Sequence, residues 1–176
     1  PNISIGKETG ITWTQPYYIA SSLDSDYTIT PIIYSKTGIL NNFEYRKVSK
    51  NSSFFGNLIG GRVDTISKKN DQVISGFINF KSNLSNDWKT EVIIQDTSED
   101  SFLRKYKLID ETILKSSISA EKLTQSSFSS IELLQIGGLS QQTKNDNSPL
   151  IAPEIKYQKQ LNPPFKSSSG VLSMSI

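Results

Sequence analysis

The stretch Ile151-Ala152-Pro153-Glu154-Ile155-Lys156-Tyr157-Gln158-Lys159-Gln160-Leu161 alternates almost without fault. Ile151, Pro153, Ile155, Tyr157 and Leu161 fall on one side of an extended chain. Ala152, Glu154, Lys156, Gln158 and Gln160 fall on the other, and only Lys159 is out of step. A period of two marks a β-strand with one apolar and one polar face. Working outward, Trp88, Thr90, Val92 and Ile94 alternate with Lys89, Glu91, Ile93 and Gln95. Leu114, Ile118 and Ala120 oppose Lys115, Ser117, Ser119 and Glu121. Ile74, Ile78 and Phe80 share a face, and Tyr27, Ile29, Pro31 and Ile33 share another. No window carries a helical stripe. Strands are expected near 9–19, 26–35, 39–48, 53–63, 72–83, 88–97, 111–122, 127–137, 150–161 and 168–176.

The connections alternate as well. Short polar turns fall at Ser49–Ser52, Leu84–Asp87, Thr124–Ser126 and Asn162–Phe165, and longer loops at Asp64–Asp71, Ser98–Asp110 and Gly138–Pro149. The turn after Ser35 is short where a long one was due. Short turns at one end and long loops at the other describe an up-and-down meander, an asymmetry that outer-membrane barrels keep. A strand of about ten residues rises roughly 33 Å, and at a tilt of about 40° it covers close to the roughly 25 Å apolar band of such a barrel. The expected fold is therefore all-β: an antiparallel up-and-down transmembrane β-barrel, present in part, as about ten strands of a larger one. A soluble sandwich would show the same periodicity, with its apolar face against a second sheet.

Composition narrows the chemistry. The 176 residues include 28 serines and neither histidine nor cysteine. That removes His- and Cys-based catalytic triads, zinc sites of the usual kind, iron–sulfur ligation and disulfides from this stretch. No cofactor or metal is expected. A net charge of +2 is too small to argue for nucleic acid. No apolar run approaches the roughly 20 residues of a membrane helix, which says nothing against strands. The glycine pairs Gly60-Gly61 and Gly137-Gly138 read as bends or bulges, and no carboxylate pair or phosphate loop suggests an enzyme. The chain opens on Pro1 and still alternates at Leu172–Ile176, so it reads as a piece of something longer.

Two sets of residues stand out. On the polar faces, Glu44, Arg46, Lys89, Glu91, Lys115, Glu121, Glu154 and Lys156 would line a wet lumen, with Glu44/Arg46 and Glu154/Lys156 as opposite-charge pairs. Trp13, Tyr17, Tyr18, Tyr27, Trp88 and Tyr157 lie near strand ends, where aromatic girdles form. Pro16 and Pro31 are the second set. Proline donates no ladder hydrogen bond, so in sheets it sits at edges, strand starts and bulges. Fifteen residues apart in adjacent strands, the two either mark strand starts or loosen one seam.

The stretch Pro16-Tyr17-Tyr18-Ile19, then Asp26-Tyr27-Thr28-Ile29-Thr30-Pro31, Tyr34-Ser35-Lys36-Thr37-Gly38 and Glu44-Tyr45-Arg46 resembles the start of the barrel domain of the LptD family of lipopolysaccharide-assembly proteins. Asp96–Tyr106 is similar to that family's S-D-x-[ST]-[FY]-L-[RK]-[RK]-Y loop, with Ser98-Glu99-Asp100 replacing its start. Pro149-Leu150-Ile151-Ala152-Pro153-Glu154-Ile155 is similar to its P-L-x-x-P-x-I strand opening. The resemblance implies an outer-membrane barrel of about 26 strands, at the upper range of single-chain barrels. Residues 1–8 would be the link from a missing periplasmic domain, and 9–176 the first strands. It implies that lipopolysaccharide enters the outer leaflet, its glycan through the lumen and its lipid sideways between the first and last strands, with Pro16 and Pro31 as lateral-gate residues. The implied partners are lipopolysaccharide, an LptE-type lipoprotein plug, an LptA-type periplasmic bridge through the missing domain, and outer-membrane lipid. Another barrel (a porin or nutrient receptor) and a secreted soluble β-sheet adhesin are the competing readings.

Overall fold

The computed structural model describes residues 1–99, 101–109, 113–138, 150–161 and 170–176. Twelve strands form one antiparallel sheet: β1 (Asn2–Gly6), β2 (Gly10–Thr14), β3 (Tyr17–Ala20), β4 (Ser25–Tyr34), β5 (Gly38–Val48), β6 (Ser52–Val63), β7 (Asp71–Asn83), β8 (Trp88–Thr97), β9 (Ile113–Leu123), β10 (Ser127–Gly138), β11 (Leu150–Leu161) and β12 (Gly170–Ser175). From β4 onward each strand pairs with the next in sequence. The sheet is open: β1 and β12 are its two edges and do not pair with each other. It is the unclosed wall of an up-and-down barrel.

The turns after Val48, Asn83 and Leu123 lie at one end of the sheet, the turn end. The connections after Tyr34, Val63 and Thr97 lie at the other, the loop end. Each turn-end connection is held by a short backbone bond, such as Ser49 N–H to the Ser52 carbonyl at 2.7 Å and Thr124 N–H to the Ser127 carbonyl at 2.8 Å. The expected loop beyond Gly138 and the turn at 162–165 fall outside the described residues.

Three features differ from the sequence expectation. The first expected strand is two, β2 and β3, interrupted at Gln15-Pro16, and both pair with β4. Residues 1–8 contain β1, which pairs with β2 from Asn2↔Thr14 to Gly6↔Gly10. The glycine pairs stay in regular β6–β7 and β9–β10 register, and the irregularity between β10 and β11 falls between Glu132 and Leu134. Gly61 serves close approach instead: a Cβ there would run into the carbonyl oxygen of Ile39 across the strand pair.

A short helix, α1 (Phe102–Lys105), forms inside the connection after Thr97. Four residues are too few to show a helical period in sequence. Phe102 and Leu103 are fully buried, and with Tyr106 they cover Tyr34, Leu40, Ile59, Val63 and Val73 at the loop end. This is the main buried cluster of the described residues. The Tyr34 and Tyr106 rings lie 4.7 Å apart. Tyr106 Oη donates to the Asp64 carbonyl at 2.8 Å, and Lys105 Nζ donates to the same carbonyl at 2.6 Å. The loop is thereby tied to the connection after β6.

Candidate functional site: two unlike faces and a proline-marked edge

Directly paired residues in a sheet share a face, so the register carries each strand's parity to the next. Starting from Glu44, this parity puts Asp26, Arg46, Asn57, Asn79, Lys81, Lys89, Glu91, Lys115, Glu121, Glu132, Glu154 and Lys156 on one face. All eight charged residues singled out in the sequence lie on that polar face. Its side chains are cross-linked. Arg46 Nε meets Asp26 Oδ1 at 2.8 Å and Lys81 Nζ meets Glu91 Oε1 at 3.1 Å. Asn57 donates to Asn42 at 2.6 Å, Asn42 to Glu44 at 3.2 Å and Asn79 to Glu91 at 3.2 Å.

Arg46 does not pair with Glu44, as the spacing suggested. Its partner is Asp26, directly opposite on β4, and such a pair is visible only once register is known. Glu154 and Lys156 do pair, at 2.9 Å. Lys89 stands opposite Glu121. Glu132 faces Glu154 directly. The sequence reading missed Asp26, Asn42, Asn57, Asn79, Lys81 and Glu132 for the same reason.

The other face is aliphatic and aromatic. Ile3, Ile5, Ile11, Ile29, Phe43, Leu58, Ile78, Ile94, Ile118, Ile131 and Ile155 follow one another from β1 to β11, all exposed. The charged strand residues on this face are Lys47, Arg62, Asp96, Lys122 and Lys159, each within two residues of a strand's end. The middle of the face carries no charge. Trp13, Tyr17, Tyr27, Trp88 and Tyr157 lie on it too, whereas Tyr18 points its parity to the polar face.

Pro16 and Pro31 fall in the same gap of the ladder. β2 pairs with β4 down to Thr14↔Ile32, and β3 resumes at Tyr17↔Ile29. Between them Gln15 comes opposite Pro31 and Pro16 opposite Thr30. Pro31 lacks the N–H that would complete its pair with the Gln15 carbonyl, and the N–H that Pro16 lacks would point to the outer edge of the sheet. What spans it is Gln15 N–H to the Pro31 carbonyl at 3.3 Å, long for such a bond. On the outer side, β1 covers β2 but not β3, so among the described residues the edge is open from Tyr17 to Ala20.

An antiparallel meander with strands of ten to thirteen residues from β4 to β11, one face oily at mid-height and the other polar, is the wall of a transmembrane β-barrel. Residues 73–175, from β7 to β12, match the family model described as LPS transport system D (LptD), and the chain belongs to that family. Over 103 residues it is 28% identical to an LPS-assembly protein LptD of Pseudoalteromonas atlantica, covering 58% of this chain and 14% of that protein. The chain thus spans a small part of its relative's length. The family match takes in the Asp96–Tyr106 and Pro149–Ile155 motifs and stops short of Pro16 and Pro31.

Proposed function

We propose that this chain is the beginning of an outer-membrane barrel that delivers lipopolysaccharide to the outer leaflet, a transport component with no bond chemistry. Residues 1–8 lead in from a periplasmic domain and add β1 to the edge of the sheet, and 9–176 supply the barrel strands that follow. The apolar face meets lipid. The polar face, with Glu44, Arg46, Lys89, Glu91, Lys115, Glu121, Glu154 and Lys156, lines the lumen that takes the glycan and houses an LptE-type plug. An LptA-type bridge feeds the barrel through the periplasmic domain. The observation that carries the reading is the apolar face, whose charges are confined to the strand ends. A soluble sandwich would cover such a face with a second sheet, whereas here all twelve described strands lie in one sheet and the face stays exposed. A strand in hydrocarbon pays about 2–4 kcal/mol for a lysine or arginine at mid-depth. Family membership favours export over a porin or a nutrient receptor.

The lipid portion leaves through the seam beside β2 and β3. Each missing ladder bond is worth about 0.5–1.5 kcal/mol, and the gap at Pro16 and Pro31 lies where the short β2 and β3 should hold to β4. Threonine at both positions (Pro16→Thr with Pro31→Thr) restores two donors, the one at 31 across to the Gln15 carbonyl and the one at 16 toward the strand that closes the outer edge. In the full-length protein the expected outcome is a stiffer seam, slower appearance of lipopolysaccharide at the cell surface and entry of large antibiotics. Normal surface lipopolysaccharide and an intact permeability barrier in the double variant would remove the gate from this edge.

A further inference from the structure

The charges of the apolar face are unequally divided between its ends. At the loop end Arg62 is balanced by Asp96. At the turn end stand Lys47, Lys122 and Lys159, with no acidic strand residue on that face. Lys122 is directly opposite Trp88 on one side and Ser129 on the other, and Ser129 is opposite Tyr157, so one row reads Trp88-Lys122-Ser129-Tyr157. Lys47 lies opposite Phe54, and Lys159 opposite Leu172. The nearest turn acids are beyond the strands: Asp24 takes a hydrogen bond from Ser22 Oγ, and Asp87 precedes Trp88.

From this division we propose that the turn end of the apolar face is a docking belt for anionic glycerophospholipid headgroups, formed by Lys47, Lys122 and Lys159 with Trp88 and Tyr157. The inference rests on the reading that this face meets lipid, and adds which leaflet chemistry it prefers. A lysine stem lies along apolar surface while its ammonium reaches the phosphate layer, and indole and phenol rings settle at the same depth. A row that sets an ammonium between a tryptophan and a tyrosine presents both elements at one height. Three cations set against one neighbouring carboxylate, that of Asp24 beside Lys47, select an anionic headgroup over a zwitterionic one. The balanced loop end carries no such selection.

The test uses the full-length protein in nanodiscs containing phosphatidylcholine with a minor share of phosphatidylglycerol, and native mass spectrometry of the lipids retained. At about fivefold per lysine near an anionic layer, phosphatidylglycerol should be retained at least fivefold above its bulk share. The triple variant K47Q/K122Q/K159Q should fall to parity. Arginine at the three positions should keep the preference, as should K69Q in the loop-end connection. A wild-type protein without preference, or a triple glutamine variant that keeps it, would overturn the belt. Failure of the wild-type protein to enter the nanodisc bilayer would instead overturn the lipid-facing reading.

Discussion

Tyr106 shows how a single side chain fixes the loop end. Its ring packs at a tilt against Tyr34 and its hydroxyl donates to the Asp64 carbonyl, so the neutral phenol is the form the fold holds. Burial pushes its pKa above the ordinary value of 10.0. A group whose acidity is weakened by folding contributes stability that is fully present below its unfolded pKa and lost as pH rises through the folded one. The cap made by Phe102, Leu103 and Tyr106 should therefore hold to about pH 10 and loosen above it. The absorbance difference at 295 nm between the wild type and Y106F isolates this one phenol. Its midpoint should lie above 10, and a midpoint at or below it would mean that the ring is solvated and the cap is not closed.

At the level of the strand, parity decides which substitutions a membrane tolerates. Ile118 on β9 stands opposite Val92 and Leu133 on the apolar face, whereas its neighbour Ser119 stands opposite Glu91 and Glu132 on the polar one. Ile118→Lys should cost about 2–4 kcal/mol near the middle of the bilayer. Ser119→Lys, flanked by two carboxylates, should be neutral or mildly stabilising. Urea midpoints of the two full-length variants in lipid would separate them; equal midpoints would leave the faces wrongly assigned. The faces were legible from sequence because alternation survives every antiparallel pairing, so the eight charged candidates fell on one side without any knowledge of register. Partners were not legible: nothing in the sequence says that Arg46 meets Asp26 and not Glu44, since that depends on how β4 slides against β5. β1 was hidden by its five residues, although Ile3 and Ile5 alternate with Asn2 and Ser4. The break at Gln15-Pro16 was signalled by the proline, but not the fact that Pro31 faces it.

For the whole molecule, the consequence of an open sheet is that neither edge nor apolar face is satisfied by the chain itself. Among the described residues β3 presents Tyr17–Ala20 with no partner on its outer side, and β12 forms the opposite edge. Unpaired edges template further pairing, and in hydrocarbon they are not tolerated at all. The buried cluster is small and confined to the loop end, so it cannot hold twelve strands flat in water. Most of the apolar side chains of β4 to β11 remain exposed on one face, far more than the few hundred Å² of contiguous apolar surface that soluble monomers show. The 176-residue stretch expressed alone should therefore collect as aggregate and return to β-structure only with detergent or lipid, and then as associated species joined through β3 and β12. Sedimentation and circular dichroism with and without detergent would show this. A monodisperse, detergent-free monomer rich in β-structure would require the apolar face to be covered by protein, and with it the sheet would become half of a sandwich instead of the wall of a barrel.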